Sequence, residues 1–462
     1  MGQESASAMI ALALSTLLVL LAYLRLRRPS SFFRSIGTVT LLTEDEIHLS
    51  IMTILMVVDG CWSHGNVVGL IRKRMAEDKL FFWRFCSTVN SDGEFEADVS
   101  FDPAMHIHAV NLDDSITPLE FAEQMSAMPL GRAHPLWHCY VISPRGKDAN
   151  TTHLLWRIHH SIGDGASVNA FFVRLSDSKI PPPMVRVPRY QAPSWLKRLK
   201  LIIWSLWLYL CKWWQFMTRP EPSTCLKPSN GGKRRKRLFY TTHYSVKETK
   251  QLARRLGMEA TVNDIFVSCI TGALRTMLLL DQPDMNLRSS FILRAGIPVD
   301  MRPWSEPINA PDNQFSCLLV DLPVGEASPL DRTKRVIASM KQAKGSLERQ
   351  MTYAISLAIA QLPRWLLPRA IRFITSHSSV AISNVRGPPN VLHFSGHALL
   401  SLNGYVPPPP NVHLGVAIYS MGDALGISVQ VDSGIFSQPE RFLKCIQDEY
   451  FALQQLASPP AN

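Results

Sequence analysis

Apolar and polar positions alternate along the chain in short runs, and the runs follow two different periods. Runs of β-branched and apolar residues that end in turn residues predict strands, whereas apolar positions recurring every three to four residues predict helices. Strands are predicted within 48–60 and at 81–89, 95–99, 137–142, 153–158, 238–246, 290–299, 313–322, 379–385, 398–406, 413–419 and 425–432. Helices are predicted at 66–79, 117–128, 167–175, 247–256, 261–280, 332–344, 351–374 and 439–456. This interleaving predicts an α/β fold of mixed α+β character.

Two of the predicted helices begin with capping signals. Thr117 is followed three residues later by Glu120, which is the spacing of a capping box. The long apolar helix at 261–280 is expected to open at Thr261 or Asn263, since both side chains can accept a bond from a free backbone N–H.

The alternation is interrupted between residues 181 and 237, which begin with five prolines in a short stretch. That composition is typical of a linker. An apolar segment follows at 199–217, with four tryptophans and flanking lysines. Tryptophan and lysine together favour the headgroup zone of a bilayer, so we expect an interfacial helix or shallow hairpin; a buried core helix is the alternative. The interruption predicts two mixed α/β subdomains, 35–180 and 238–462.

A second apolar run lies near the N terminus, at residues 9–24. It approaches the length of about 17–25 residues that spans a bilayer. A cluster of four arginines follows it within ten residues, and Glu4 is the only charged side chain before it. The positive-inside tendency places the rest of the chain in the cytosol. A cleaved signal peptide is disfavoured, because the basic cluster follows the apolar run and no cleavage site is visible. Residues 1–34 are therefore predicted to be a transmembrane anchor with a basic flank.

Composition narrows the class of partner. The chain has 462 residues, 46% of them hydrophobic, and a formal net charge of +11. A basic protein suits anionic partners, but no nucleic-acid-binding motif is present, so a membrane surface or a phosphorylated cofactor is favoured. The basic run 233–237 fits a solvated loop, with a lipid tether as the alternative. No C-x-x-C pair or zinc-like spacing occurs, and no metal is predicted.

The motif with the clearest chemical meaning is HHSIGDG, residues 159–165, at the end of the predicted strand 153–158. A neutral imidazole near pH 7 can take a proton from an alcohol as its oxygen attacks an acyl carbonyl. Adjacent histidines on a strand point to opposite faces, which leaves one of them for this task. A pair of hydrogen-bonded histidines in an ordinary turn is the structural alternative.

Asp164 and Gly165 are expected to shape this turn. An aspartate there can accept backbone N–H bonds or pair with an arginine. Gly165 would allow a positive φ and a close approach of substrate. A nucleophilic Asp164 is the less favoured alternative.

HHxxxDG resembles the signature of the coenzyme A-dependent acyltransferase superfamily. Three more elements resemble those of the wax ester synthase/diacylglycerol acyltransferase family: PLW at 135–137, ND at 263–264 and SNVRGP at 383–388. The likeness covers about residues 38–457 and is nearest to the membrane-anchored eukaryotic type. Arg386 stands where proline is common, and an arginine there could contact a phosphate of bound coenzyme A. Each element taken alone is also an ordinary strand start, N-cap or turn.

The resemblance implies two chloramphenicol-acetyltransferase-like subdomains with an active site in a tunnel between them. It implies acyl-CoA as co-substrate, no permanently bound cofactor, and His160 as the base. His159, Asp164 and Gly165 complete the implied catalytic set, with Asp164 held by an arginine. Substrate-binding or site-supporting roles are implied for the following residues: Asn263, Asp264, Ser383 and Asn384.

The function expected is transfer of a long-chain acyl group to a lipid alcohol, either a fatty alcohol giving wax ester or diacylglycerol giving triacylglycerol. A catalytically silent lipid-binding protein of the same fold and an acyltransferase acting on an amine or soluble metabolite are the alternatives. Membrane lipid is an expected partner, and nucleic acid is not. The expected location is the endoplasmic reticulum membrane with the catalytic part in the cytosol; the plasma membrane and lipid-droplet surface are alternatives.

Overall fold

Two six-stranded sheets organise the computed structural model. It describes residues 34–143, 150–178, 200, 203–204, 207, 210–211, 213–215, 218–228, 235–303, 307–345 and 348–457. The predicted anchor at 9–24 and the proline-rich stretch at 181–193 lie outside the described residues.

The helices of the described residues are α1 Ile36–Leu42, α2 His64–Glu77, α3 Lys79–Phe82, α4 Pro118–Ser126, α5 Gly165–Leu175, α6 Val246–Arg255, α7 Val262–Asp281, α8 Pro329–Gly345, α9 Glu348–Ile359, α10 Leu367–Thr375 and α11 Arg441–Leu456. The strands are β1 Ile51–Asp59, β2 Ser87–Val89, β3 Phe95–Ala97, β4 Ile107–Val110, β5 Trp137–Ile142, β6 Thr151–His159, β7 Lys236–Ser245, β8 Leu293–Asp300, β9 Phe315–Leu322, β10 Val380–Arg386, β11 His393–Phe394, β12 His397–Tyr405, β13 Leu414–Met421 and β14 Ala424–Asp432.

The first sheet has the order β11-β12-β1-β6-β5-β4, and the second has the order β7-β14-β13-β10-β8-β9. Apolar side chains of the first sheet pack with those of α2 and α5. Those of the second sheet pack with α7, α8 and α11. The predicted mixed α/β fold is confirmed: each half is a sheet that buries one face under helices.

One strand pairing crosses the boundary that the linker suggests. β12 lies late in the chain, yet it pairs antiparallel with β1, with Thr53 opposite Tyr405. β11 and β12 therefore complete the first sheet, although they belong to the predicted subdomain 238–462. The subdomain boundaries stay a prediction, but the C-terminal part of the chain contributes two strands to the first sheet.

Among the described residues one helix, α7, has the length and apolar character to cross a membrane, and 72% of its apolar window is buried within the molecule. Its buried residues include Phe266, Ile270 and Leu274, which form part of the second core. The observed packing accounts for its apolar character.

Two predicted elements were wrong. The expected strand 81–89 is the helix α3, a 3₁₀ turn at Trp83–Cys86 and the short β2. Asp78 caps α3 by accepting the N–H of Phe81, and Phe81, Phe82 and Phe85 are all buried by that winding. The expected helix 351–374 is two helices, α9 and α10, because Pro363 interrupts the backbone ladder between them and Pro368 lies in the first turn of α10.

Other local predictions are confirmed. Thr117 and Glu120 form a capping box at α4. Thr261 caps α7 together with Asp264, so Asn263 is not the cap.

The solvated loop expected at 233–237 was wrong for Lys236 and Arg237, which belong to β7 and pair with Asp432 and Glu123. Residues 233–234 lie outside the described residues.

The described part of the tryptophan-rich segment is helical. Trp204, Trp207 and Trp214 are each exposed over more than half of their surface. Exposed indoles do not fit the buried core helix that was the alternative for this segment, and they agree with an interfacial position.

Candidate functional site

The HHSIGDG turn joins the end of β6 to the start of α5. The N–H of His160 donates to the carbonyl of Ser50 at 2.7 Å, and the N–H of Ile162 donates to the carbonyl of His159 at 3.1 Å. The PLW element lies beside it, since the carbonyl of Leu136 accepts the N–H of His159 at 2.9 Å. Rigid strands therefore hold the backbone on both sides of His160.

His159 is buried, and each of its ring nitrogens faces a polar neighbour. Nδ1 accepts the N–H of Ser161 at 3.0 Å and lies 2.7 Å from the Ser161 hydroxyl. Nε2 lies 3.4 Å from Oε1 of Glu44. Burial raises the pKa of Glu44, but bonds from His159 and Ser50 and the charge of Arg132 outweigh it, and the net shift is downward. These contacts hold the ring of His159 in the interior, where it supports the turn.

His160 points to a different partner, Asn313. Its Nδ1 lies 2.8 Å from Oδ1 of Asn313, while Nδ2 of that amide donates to the carbonyls of His160 at 2.8 Å and of Ser161 at 3.4 Å. Carbonyls only accept, so the amide orientation is fixed and Oδ1 must accept from a protonated Nδ1. The neutral ring then carries its lone pair on Nε2, which no described residue engages. This is the tautomer that a general base requires.

The surroundings of His160 also set its protonation. Burial lowers its pKa, while the charge of Asp164 and the bond to Asn313 raise it, and the net pKa lies below the ordinary 6.5. Phe315 stands with its ring centroid 5.7 Å from that of His160. The imidazole is therefore neutral at pH 7 and able to accept a proton.

Asp164 ties the turn to the second half of the molecule. It caps α5 by accepting the N–H of Ser167 at 3.0 Å, and it accepts the N–H of Gln314 at 2.9 Å. Nη1 of Arg302 lies 2.9 Å from Oδ2 of Asp164, and both side chains are at least nine-tenths buried. The expectation that an arginine holds Asp164 is confirmed, and the arginine is Arg302.

Arg302 makes further bonds that lock the two halves together. Its Nη2 donates to the carbonyl of Asp312 at 2.6 Å and to the hydroxyl of Ser167 at 3.1 Å. Burial lowers the pKa of Arg302, but Asp164 and Asp300 raise it above its ordinary value. The guanidinium remains charged and fixes the loop that carries Asn313.

Gly165 serves a different purpose from the one expected. It is the first residue of α5, and its φ is outside the left-handed region. A Cβ at this position would lie 2.8 Å from Cγ2 of Val385. The positive φ was a wrong prediction; the missing side chain makes room for β10, the strand that carries the SNV element.

The other predicted site residues do not hydrogen-bond the histidines. Asp264 closes the N terminus of α7 and pairs with Lys344 at 3.0 Å. The amide oxygen of Asn263 is buried and has no described partner. Ser383 and Asn384 lie on β10, the first buried and the second exposed. Their site-supporting roles stay predictions, as does a phosphate contact for Arg386, which is exposed at the end of β10.

Sequence reasoning missed Asn313, Arg302 and Asp312. Asp312 adds a third link between the halves, since Arg84 lies 3.1 Å from its Oδ1 and donates to the carbonyl of Ile162 at 3.3 Å. The polar triplet at 312–314, directly before β9, was the one available signal. Among the described residues, no group of three His, Cys, Asp or Glu side chains is arranged to hold a metal.

Asn313→Ala is expected to lower kcat by about 10–100-fold, the usual effect of removing the partner that orients a functional histidine. KM for acyl-CoA should change little, because Asn313 orients the ring and would not bind the donor. Steady-state rates with acyl-CoA and a lipid alcohol give both constants. A variant that kept the wild-type kcat would show that the tautomer is set in another way.

Two protein-family models match the parts of the chain that form this site. The model described as the wax ester synthase/diacylglycerol acyltransferase catalytic domain matches residues 84–205, which include the HHSIGDG turn. The model described as the WS/DGAT C-terminal domain matches residues 312–454, which begin beside Asn313. Together the two matches cover more than half of the chain.

Individual proteins agree with the family match. A protein named as a probable diacylglycerol O-acyltransferase from Mycobacterium tuberculosis is 24% identical over 375 residues, covering 76% of this chain and 79% of the relative. The solved wax ester synthase/diacylglycerol acyltransferase from Marinobacter aquaeolei has a TM-score of 0.62 at 19% identity, covering 92% of this chain and 99% of that one. A trichothecene 15-O-acetyltransferase from Fusarium sporotrichioides has a TM-score of 0.63 at 15% identity, covering 91% and 94%.

The solved structures show a shared fold, and the two domain matches show the family. With both domains in order and the histidine turn inside the catalytic one, the chain belongs to the wax ester synthase/diacylglycerol acyltransferase family and is an acyltransferase enzyme.

Proposed function

We propose that this enzyme transfers a long-chain acyl group from acyl-CoA to the hydroxyl of a lipid alcohol, with His160 as general base. Nε2 takes the hydroxyl proton while the oxygen attacks the thioester carbonyl. The carbon–sulfur bond then breaks, and the imidazolium gives this proton to the departing thiolate of coenzyme A. The observation that carries this proposal is the bond between Nδ1 of His160 and Asn313, which leaves Nε2 as the acceptor.

The acceptor is proposed to be a fatty alcohol, diacylglycerol, or both. Membership of the family supports a lipid alcohol, and the apolar segments of the chain at 9–24 and 199–217 would keep the enzyme where such alcohols dissolve. Acyl-CoA is the proposed co-substrate, and no permanently bound cofactor is needed for the proton transfers described.

The proposed location is the endoplasmic reticulum membrane, with the catalytic halves in the cytosol. It is supported by the order of apolar run and arginines in the sequence. The bacterial relatives carry no information about a eukaryotic compartment.

The test is product identification with the full chain in microsomes. Labelled palmitoyl-CoA is offered with hexadecanol and with diacylglycerol in parallel, and microsomes without the protein are the control. We expect a labelled wax ester, triacylglycerol, or both, together with release of coenzyme A. No labelled ester with either alcohol would overturn the proposal and favour the silent lipid-binding alternative. A labelled amide formed from an added long-chain amine, with no ester, would favour the amine alternative.

A further inference from the structure

We propose that α10 and the loop before it form a surface that docks on an anionic lipid bilayer beside the active site. The surface consists of the exposed side chains of five residues, here termed the docking face: Arg364, Trp365, Arg369, Arg372 and Phe373. The idea that this face brings the lipid acceptor to His160 rests on the proposed function; the membrane contact does not.

The docking face is the outer side of an amphipathic helix. Leu367, Ile371 and Ile374 of α10 turn inward and pack in a cluster with α1 and α9. Trp365 is 67% exposed and Phe373 is 47% exposed. Aromatic side chains flanked by arginines on an outward face are typical of helices that lie at the headgroup level of a membrane.

The charge of this region suits an anionic surface. Residues 349–422 contain no aspartate or glutamate, while arginines recur through the same stretch. Arg364 pairs with Asp92 and Arg372 lies 2.8 Å from Asp45, but all four side chains are at least a quarter exposed, and such pairs contribute little stability. Arg369 donates to the carbonyl of Trp365 and has no carboxylate partner among the described residues. Lipid phosphates could therefore engage these arginines at small cost.

The start of the described chain lies on the same face. The N–H of Arg34 donates to Oε1 of Gln361 at 3.1 Å, and Nε2 of Gln361 donates back to the carbonyl of Arg34 at 3.0 Å. Nη1 of Arg34 donates to the carbonyl of Leu362 at 2.8 Å. Nine residues, 25–33, lie between the predicted anchor and Arg34, which gives a reach of at most about 35 Å. A bilayer holding the anchor would thus lie within reach of the docking face.

The tryptophan-rich segment leads to the other end of α10. Nζ of Lys227, ten positions after the end of that segment, donates to the carbonyls of Asn411 at 2.9 Å and Thr375 at 3.4 Å. Nδ2 of Asn411 donates to the carbonyl of Arg372 at 2.7 Å. Both apolar segments therefore connect to the helix that bears the docking face, one near each of its ends.

The same face is one short helix away from the catalytic turn. α1 follows Arg34 directly, and a Cβ on its Gly37 would lie 2.7 Å from the carbonyl oxygen of Ser161 and 2.8 Å from Nδ2 of Asn313. The missing side chain lets α1 rest against the turn that carries His160. A membrane seated on the docking face would present its lipids next to the site that consumes them.

The test uses the full chain in phosphatidylcholine vesicles with and without phosphatidylserine. Trp365→Ser/Phe373→Ser is compared with wild type and with Phe451→Ser, which removes an aromatic side chain that is 57% exposed on α11, away from this face. Hydrogen exchange reports protection of 362–375, and ester formation is measured with acceptor in vesicles and in detergent micelles. We expect protection of 362–375 that is stronger with phosphatidylserine.

In phosphatidylserine vesicles the double variant is expected to lose activity by about fivefold or more, because binding of an interfacial helix scales with the apolar area that it buries in the membrane. Its activity in micelles and that of Phe451→Ser should stay at the wild-type level. Equal exchange at 362–375 with and without vesicles would overturn the proposal, as would a dimer formed through this face without lipid. Protection of 362–375 without ester formation would support the docking face and refute the proposed function. Ester formation without protection of 362–375 would support the proposed function and refute the docking face.

Discussion

His160→Ala is expected to lower kcat for acyl transfer by about 10²–10⁴-fold, the typical contribution of a positioned general base. The variant loses Nε2 of His160, whereas the ring of His159 is buried, with Nδ1 accepting the N–H of Ser161 and Nε2 facing Glu44. Formation of labelled ester by purified protein measures the loss. His393→Ala, which removes an exposed histidine on β11, is the matched control and should keep the wild-type rate.

The pH profile gives an independent check on the same assignment. Because burial holds the pKa of His160 below 6.5, the base is already neutral at pH 7. The wild-type kcat/KM should therefore be flat near neutrality and fall only as the pH drops below 6.5. An alanine variant that stayed within tenfold of wild type, or an acid limb centred above pH 7, would show that another group accepts the proton.

Asp164→Ala is expected to destabilise the folded protein by about 3 kcal/mol, the lower end of the cost of removing one partner from a buried ion pair, because Asp300 still lies 3.1 Å from Arg302. The loss also removes the cap of α5 and the acceptor for the N–H of Gln314. Activity should fall with it, since these bonds shape the turn that carries His160. The shift of the thermal unfolding midpoint, followed in detergent by intrinsic fluorescence, measures the effect.

Two further variants test whether the loss of stability comes from the buried ion pair between Asp164 and Arg302. Arg72→Ala breaks an exposed pair with Asp102 of 2.7 Å, and its cost should stay below about 1 kcal/mol. Asp164→Ala/Arg302→Ala should be less destabilised than the sum of its two single variants, because Arg302→Ala alone leaves the carboxylate of Asp164 buried without its guanidinium and the double variant does not. Additive effects in the double variant would mean that the two side chains stabilise the fold independently.

The local predictions succeeded where the signal was local. The capping box at Thr117 formed as expected, and Thr261 is one of the two residues expected to open α7, because a cap needs only a side chain and the N–H three residues on. The strand 81–89 failed because its aromatic residues fit a buried helix turn as well as a strand, and the neighbouring Phe171 decided between them. The prediction of one helix at 351–374 failed because proline at 363 ends the first helix and proline at 368 begins the next.

The sequence by itself determined the mixed α/β character, the position of the histidine turn at a strand end and the family to which the chain belongs. It also indicated that Asp164 would meet an arginine. It could not indicate which arginine, because Arg302 lies 138 residues away, nor that Asn313, 153 residues from His160, would set the tautomer. The pairing of β12 with β1 and the approach of α1 to the turn also follow from tertiary packing alone. Such contacts depend on which surfaces the folded halves bury against each other, and no local pattern of residues encodes that choice.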